Sequence, residues 1–250
     1  MSLFVEMNLT CPNCAEVFSF EAVGSVNADR RPDLRDEILE QSFQTATCSA
    51  CDHEFRLEPD FNYLDVGRGQ WIAALPAQAL RDHLEIAAGK QAIFDLSYGD
   101  AAPSAAQGVG KDLIRRLVFG WPALREKLVL AELGFDDVLW EVAKLDLLRS
   151  LPEAPLAEGV ELRLMGLSEA GDEEALLDLV WVRSESEEVL NHFQVSRGLY
   201  DEIAANPDPW VPVRAMLAAG IFVDMQKLFM GDGAAAPPPS ESPAAVAPSP

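Results

Sequence analysis

Apolar and polar positions alternate through the first part of the chain. Residues 3–9 read as a short strand that runs into Cys11. Glu16–Ala28 (EVFSFEAVGSVNA) predicts a second strand, with Val17, Phe18 and Phe20 as β-formers. RPDLRDEILEQSF then changes period and predicts a helix, with Asp33 as its cap and Leu34, Ile38 and Leu39 on one apolar side. FQTATC leads back to Cys48, and HEFRLEP leaves Cys51 as a strand. FNYLDVG and QWIAALP predict two strands joined at Gly67–Gly69, the second ended by Pro76. AQALRDHLEIAAGKQAIFDL predicts a helix, with Leu80 and Leu84 one turn apart, and Gly99–Gly110 predicts a mobile small-residue loop.

The pattern of LIRRLVFGW fits either a strand or a helix. PALREKLVLAEL predicts a helix that starts at Pro122 and stops at Gly134. DDVLWEVAKLDLLRSLP carries the clearest helical stripe, Val138, Val142, Leu145 and Leu148. Alternation returns in VELRLMGL, and ALLDLVWVRS and VLNHFQVS predict strands around the acidic turn ESEE. SRGLYDEIAANP predicts a helix capped by Ser196, with Leu199 and Ile203 inward. No repeat of solenoid length is present. The Pro/Ala/Ser-rich end has almost nothing to bury and is expected to be disordered.

Two C-x-x-C pairs, Cys11/Cys14 and Cys48/Cys51, hold all four cysteines and interrupt these strands. Each such turn brings two sulfurs close enough to share one ion, and two turns complete a tetrahedral thiolate shell for Zn²⁺. The 33 residues between the pairs exceed the usual spacing, which an inserted hairpin and helix explains, since loop closure costs grow slowly with length. Ala15 and Asp52 stand where a glycine often follows such a turn. Four thiolates leave no open coordination position, so the predicted ion is structural. A thioredoxin-like pair would open a helix, whereas both pairs here are bounded by strands. His53 is the one nearby further donor, and a surface or strand position explains it better.

The C-P-x-C start, the long insert, the C-x-x-C return and the FNYLDV…QWIAALP stretch that follows resemble the CpXC domain family of prokaryotic proteins. The resemblance covers roughly residues 7–130 and rests most specifically on Cys11, Pro12, Cys14, Cys48 and Cys51. REKLVLAELGFDDVLWEVAK is also similar to the region that follows that domain. The resemblance supports the metal and implies no particular activity.

The formal net charge of -22 sets aside phosphate-backbone binding and anionic membranes, which call for clustered Lys and Arg. Residues 151–250 hold 17 acidic and 5 basic residues, a surface that suits solvation or a basic protein partner. No apolar run spans a bilayer, and the start lacks the basic and apolar regions of a secretory signal, so a reducing cytoplasm is expected.

No catalytic constellation emerges. The stretch before Lys111 departs from a phosphate-binding loop at Ala105 and Asp112, and Ser168 lacks the nucleophile-elbow glycine at Ala170. Asp136–Asp137 is explained by a helix start, and Glu173–Glu174 by an acidic turn. His53, His83 and His192 are scattered. Trp71, Trp121, Trp140, Trp181 and Trp210 fall in apolar elements and suit a core better than a base-stacking face.

The expected fold class is α+β: a zinc-ribbon-like β unit with an inserted helix, followed by helices and a second α+β segment. The expected organisation is a ribbon domain at 1–130, a C-terminal α+β segment at 131–230 and a tail at 231–250. The function this implies is that of a non-enzymatic interaction or regulatory protein with a structural four-cysteine Zn²⁺ site. The alternative is a thiol redox sensor that releases zinc on oxidation.

Overall fold

Alternating β-formers pair β1 (Leu3–Thr10) with β2 (Val17–Asn27) as an antiparallel hairpin whose turn is the first cysteine pair. The structure is a computed structural model describing residues 2–151, 153–155, 157–168 and 175–230; Glu173–Glu174 and the tail lie outside them. Pro32 opens α1 (Pro32–Leu39), where its missing N–H costs nothing. Asp33 is not the cap: it lies inside the first turn and holds Arg31, the residue at the cap position, at 2.6 Å. Leu34 and Ile38 are buried as their spacing predicts. β3 (Thr45–Thr47) and β4 (Glu54–Arg56) form a second small hairpin, turned by the second cysteine pair.

β5 (Phe61–Asp65) and β6 (Gln70–Leu75) are antiparallel, as the Gly67–Gly69 junction predicts. Asp29 fastens their turn by accepting the Val66 and Gly67 N–H groups at 2.8 and 2.9 Å. The alanine-rich helix begins as a 3₁₀ turn at Ala77–Asp82 and continues as α2 (His83–Tyr98). The segment expected as a loop contains a short helix, α3 (Ser104–Gly110). Ala105 and Ala106 favour it, and Gln107 Nε2 ties it back to the Asp100 and Ala102 carbonyls at 3.0 and 2.8 Å. LIRRLVFGW resolves as a strand, β7 (Ile114–Phe119), parallel to β6. The five-stranded sheet has the order β1-β2-β5-β6-β7. All of β6 is buried, which fits its continuous apolar run at a parallel pairing.

α4 (Trp121–Leu133) starts with Pro122 in its first turn and ends at Gly134, whose φ of 69° closes the helix. α5 (Asp137–Ser150) is capped by Asp136, which accepts the Val138 and Leu139 N–H groups at 2.9 Å each. A second sheet of order β10-β9-β8 follows, from β8 (Val160–Ser168), β9 (Leu176–Arg183) and β10 (Val189–Ser196). In α6 (Gly198–Ala205) the Ser196 hydroxyl accepts the Gly198 N–H at 2.8 Å, while Arg197 occupies the cap position. α7 (Val211–Ala218) and α8 (Lys227–Met230) complete the described chain. Between them Phe222 forms a parallel bridge with Leu117.

α4 ties the two sheets together. Its Leu124 and Leu128 pack with Ile72 and Val118 of the first sheet, and its Leu130 packs with Leu162 and Leu179 of the second. Each such side chain contributes about 1.5–3 kcal/mol by leaving water.

A buried ionic network lies at the same junction. Glu126 of α4 accepts from Trp140 Nε1 and the Leu164 N–H, both at 2.9 Å, and pairs with Lys144 at 3.0 Å and Arg163 at 2.8 Å. Arg163 also meets Glu161 and Asp224, each at 2.7 Å. Glu141 meets Lys144 at 2.8 Å, Lys127 at 3.5 Å and the Met225 N–H at 2.9 Å. Four buried carboxylates (Glu126, Glu141, Glu161, Asp224) thus face three buried cations (Lys127, Lys144, Arg163). Burial acts to raise Glu126, but Lys144 and Arg163 outweigh it and hold that group down at about 2. At Glu141 burial wins over Lys144, with Asp224 adding repulsion, and the group is pushed up to about 7. Glu141 is therefore the carboxylate of this network that takes up a proton most readily as pH falls.

A folded pKa above the ordinary 4.5 contributes stability that is full below about pH 4.5 and lost as pH rises through 7. Stability is expected to fall by about 3 kcal/mol across that window, from roughly 1.4 kcal/mol per pKa unit. Glu141→Gln keeps the neutral shape and should flatten this part of the profile. Urea denaturation midpoints at pH 5, 6, 7 and 8 check it, and an unchanged slope in the variant would assign the pH dependence to another group.

Candidate metal centre

Both cysteine turns have the same backbone construction. In the first, the Cys11 N–H donates to the Glu16 carbonyl (2.8 Å) and the Ala15 N–H to the Cys11 carbonyl (2.9 Å). In the second, the Cys48 N–H donates to the His53 carbonyl and the Asp52 N–H to the Cys48 carbonyl, both at 2.9 Å. Ala15 and Asp52 each turn left-handed, with φ of 62° and 55°. These are the positions where the sequence lacks the customary glycine. An L-residue costs about 1–2 kcal/mol in this conformation, less for Asp. Ala15→Gly should therefore stabilise the first turn by a net of about 0.5–1 kcal/mol after the added freedom of the unfolded chain. Thermal midpoints of the metal-loaded protein check this, and a lowered midpoint would contradict the left-handed turn.

The two turns face each other and bring the four sulfurs within 4.8 Å of one another. Cys11 Sγ lies 3.7 Å from Cys51 Sγ, and Cys14 Sγ lies 3.6 Å from Cys48 Sγ. Metal–sulfur bonds of about 2.3 Å in a tetrahedron set sulfur edges of about 3.8 Å. The donor set and its spacing thus fit a metal ion. Cys11 and Cys48, the first residue of each turn, are buried; Cys14 is exposed and Cys51 half-exposed.

Hydrogen bonds prepare the sulfurs for negative charge. Asn13 Nδ2 donates to Cys51 Sγ at 3.5 Å and the Ala50 N–H to Cys48 Sγ at 3.4 Å. Without metal, the Asn13 amide and the His53 backbone N–H lower the Cys51 thiol to about 6. The Glu16 backbone N–H favours a Cys14 thiolate too, but bonds to the neighbouring sulfurs, Cys51 first, push that thiol up to about 12. A bound cation would remove this opposition, because metal binding displaces the protons.

His53 is exposed and stacks on Phe55, with ring centroids 6.1 Å apart; it is not one of the clustered donors. His83 is buried against Phe222, and His192 lies 3.5 Å from Asp178 at the surface. Ser168 accepts from Gln194 Nε2 at 2.9 Å, and Lys111 is exposed at the end of α3. Asp137 pairs with Arg116 at 2.6 Å and Lys127 at 2.9 Å. Trp71, Trp121, Trp140 and Trp181 are buried, and Arg149 lies over the half-buried Trp210.

No sequence signal marks the contact between the cysteine hairpins and the second sheet. Arg56 of β4, close behind Cys51, stacks 3.8 Å from the Trp121 ring centroid and donates to Glu187 at 2.9 Å. Arg125 reaches the same carboxylate at 2.9 Å. Glu187 sits in the ESEE turn with φ of 56°, and Arg56 also holds the Phe43 carbonyl at 2.9 Å. The acidic turn is thus bonded to the cysteine unit by Arg56 and to α4 by Arg125. Among the described residues no helix is long and apolar enough to cross a membrane.

The family model described as CpXC protein matches residues 9–144, more than half of the chain, so the chain belongs to the CpXC family. No curated protein and no solved structure matches.

Proposed function

We propose that this CpXC family member is a zinc-stabilised interaction or regulatory protein in which Cys11, Cys14, Cys48 and Cys51 hold one structural Zn²⁺. The carrying observation is the convergence of two identically built cysteine turns to sulfur separations of 3.6 and 3.7 Å. Four thiolates favour a soft, tetrahedral cation and leave no position for substrate. The acidic C-terminal half suits a basic protein partner. Native mass spectrometry of reduced, untagged protein with a thiol-blocking control tests the metal. One zinc per chain is expected, with the thiols protected until a chelator is added. Metal-free protein with freely reactive thiols would overturn the assignment.

The exposure of Cys14 and Cys51 supports a second reading, a redox sensor. A thiolate attacks the O–O bond of a peroxide and becomes a sulfenic acid. A second cysteine thiol condenses with it, water leaves, and the disulfide can no longer hold the ion. Stoichiometric zinc release at low peroxide, reversed by dithiothreitol, would favour this reading. Zinc retained under peroxide would exclude it.

A further inference from the structure

β1 is the edge of the five-stranded sheet and pairs only with β2. It is also unusually apolar for an exposed edge: Leu3 is 56% exposed, Val5 46% and Met7 41%. Alternation places these three on one face of the hairpin. There the ladder sets Ala22 opposite Val5 and Phe20 opposite Met7. The other face is acidic. Glu6 stands directly opposite Glu21, and like charges in that position repel. Ser19 donates to Glu6 at 2.7 Å, which satisfies an oxygen and leaves the charge. Residues 1–28 contain no Lys or Arg; the Arg31 guanidinium, which lies over Phe4, is paired with Asp33. Edge strands that must stay unpaired usually carry Lys or Pro, and β1 has neither.

We infer that β1 is a docking edge for an extended segment of a basic protein partner, whose alternate side chains are apolar and Lys or Arg. The segment adds as a strand: its backbone pairs with β1, its apolar side chains continue the Leu3, Val5 and Met7 face, and its cations neutralise Glu6 and Glu21. A second copy of the chain is the poorer occupant, because it would bring another Glu6 and another net charge of -22 to the same edge. This surface deepens the interaction reading and rests on it.

The test uses the full, metal-loaded chain, with metal content measured in the same sample. The probes are an octapeptide of alternating Lys and Val, its Glu/Val counterpart, and a Lys/Val peptide N-methylated along one edge. Fluorescence anisotropy reads affinity, and hydrogen exchange reads protection of the β1 amides. The Lys/Val peptide is expected to bind and protect β1, with at least tenfold weaker binding by the other two. Met7→Glu changes an exposed side chain and should weaken binding tenfold while leaving metal content unchanged. Glu6→Gln with Glu21→Gln should reduce the salt dependence. Equal binding of the N-methylated peptide, or no protection of β1, overturns the inference while leaving the metal assignment standing. Protection that rises with protein concentration and no peptide present assigns the edge to a second copy instead. Absent metal indicts the functional reading, independently of what the peptides do.

Discussion

Cys48→Ala is expected to abolish metal binding and to unfold the β3–β4 hairpin while the sheet core behind it survives. Cys48 is fully buried, accepts the Ala50 N–H, and its backbone closes the second turn. β3 and β4 are three residues each, and two such strands have no independent stability in water. What holds them is the shared ion, whose binding in small zinc units supplies on the order of 10 kcal/mol of folding free energy. Cys11→Ala should act in the same way from the other turn. The unfolding should stay local, because Ile72, Val118, Leu124 and Leu128 form a core that needs none of the cysteines. Native mass spectrometry should show no zinc, and hydrogen exchange should show fast amides across 45–56 with slow ones retained in β6 and α4. Full metal occupancy in both variants would remove these cysteines from the ligand set.

The same release should loosen the far side of the molecule. Arg56 of β4 is paired with β3 through its backbone and with Glu187 through its head group. If β4 frays, Glu187 keeps Arg125 but loses Arg56, so exchange at 184–188 should rise as well.

The metal pattern was legible in the sequence because cysteine chemistry is local: a C-x-x-C turn announces itself within four residues. Strands β1 to β6 were legible because alternation and turn glycines are also local signals. The departures have physical causes. Asp33 was displaced as a cap because Pro32 took the first helical position, and α3 escaped because glycines and alanines lower apolar contrast without preventing a helix. The helical stripe of α5 was drawn through Val138, Val142, Leu145 and Leu148. The side chains buried there include Trp140, Glu141 and Lys144, two of them charged. No apolar pattern can foretell a charged interior, because the cations that make Glu126 and Glu141 tolerable reach them across α4, α5 and β8. α7 has no counterpart among the helices expected from the sequence, and its start is crowded by prolines; Pro212 lies in its first turn, where its missing N–H costs nothing.

The charged interior carries the other large effect. Glu126→Gln is expected to destabilise the fold by about 3–5 kcal/mol, the cost of leaving buried charges without their partner. The substitution is nearly isosteric, so packing is not the cause. It leaves Lys144 and Arg163 facing an amide whose nitrogen is itself a donor, beside the Trp140 and Leu164 N–H groups that Glu126 now accepts. Lys144→Met alone should also destabilise, since Glu141 and Glu126 would lose their shared cation. The double variant should lose less than the two single losses combined, with a coupling of about 1–3 kcal/mol, because each single change strands the other's charge. Urea midpoints for the four proteins of this cycle measure it. The core around Ile72 and Val118 serves as an internal control, its exchange rising only if global stability falls. Simple additivity would mean that the two groups act independently and that the network does not fasten α4, α5 and β8 as a unit.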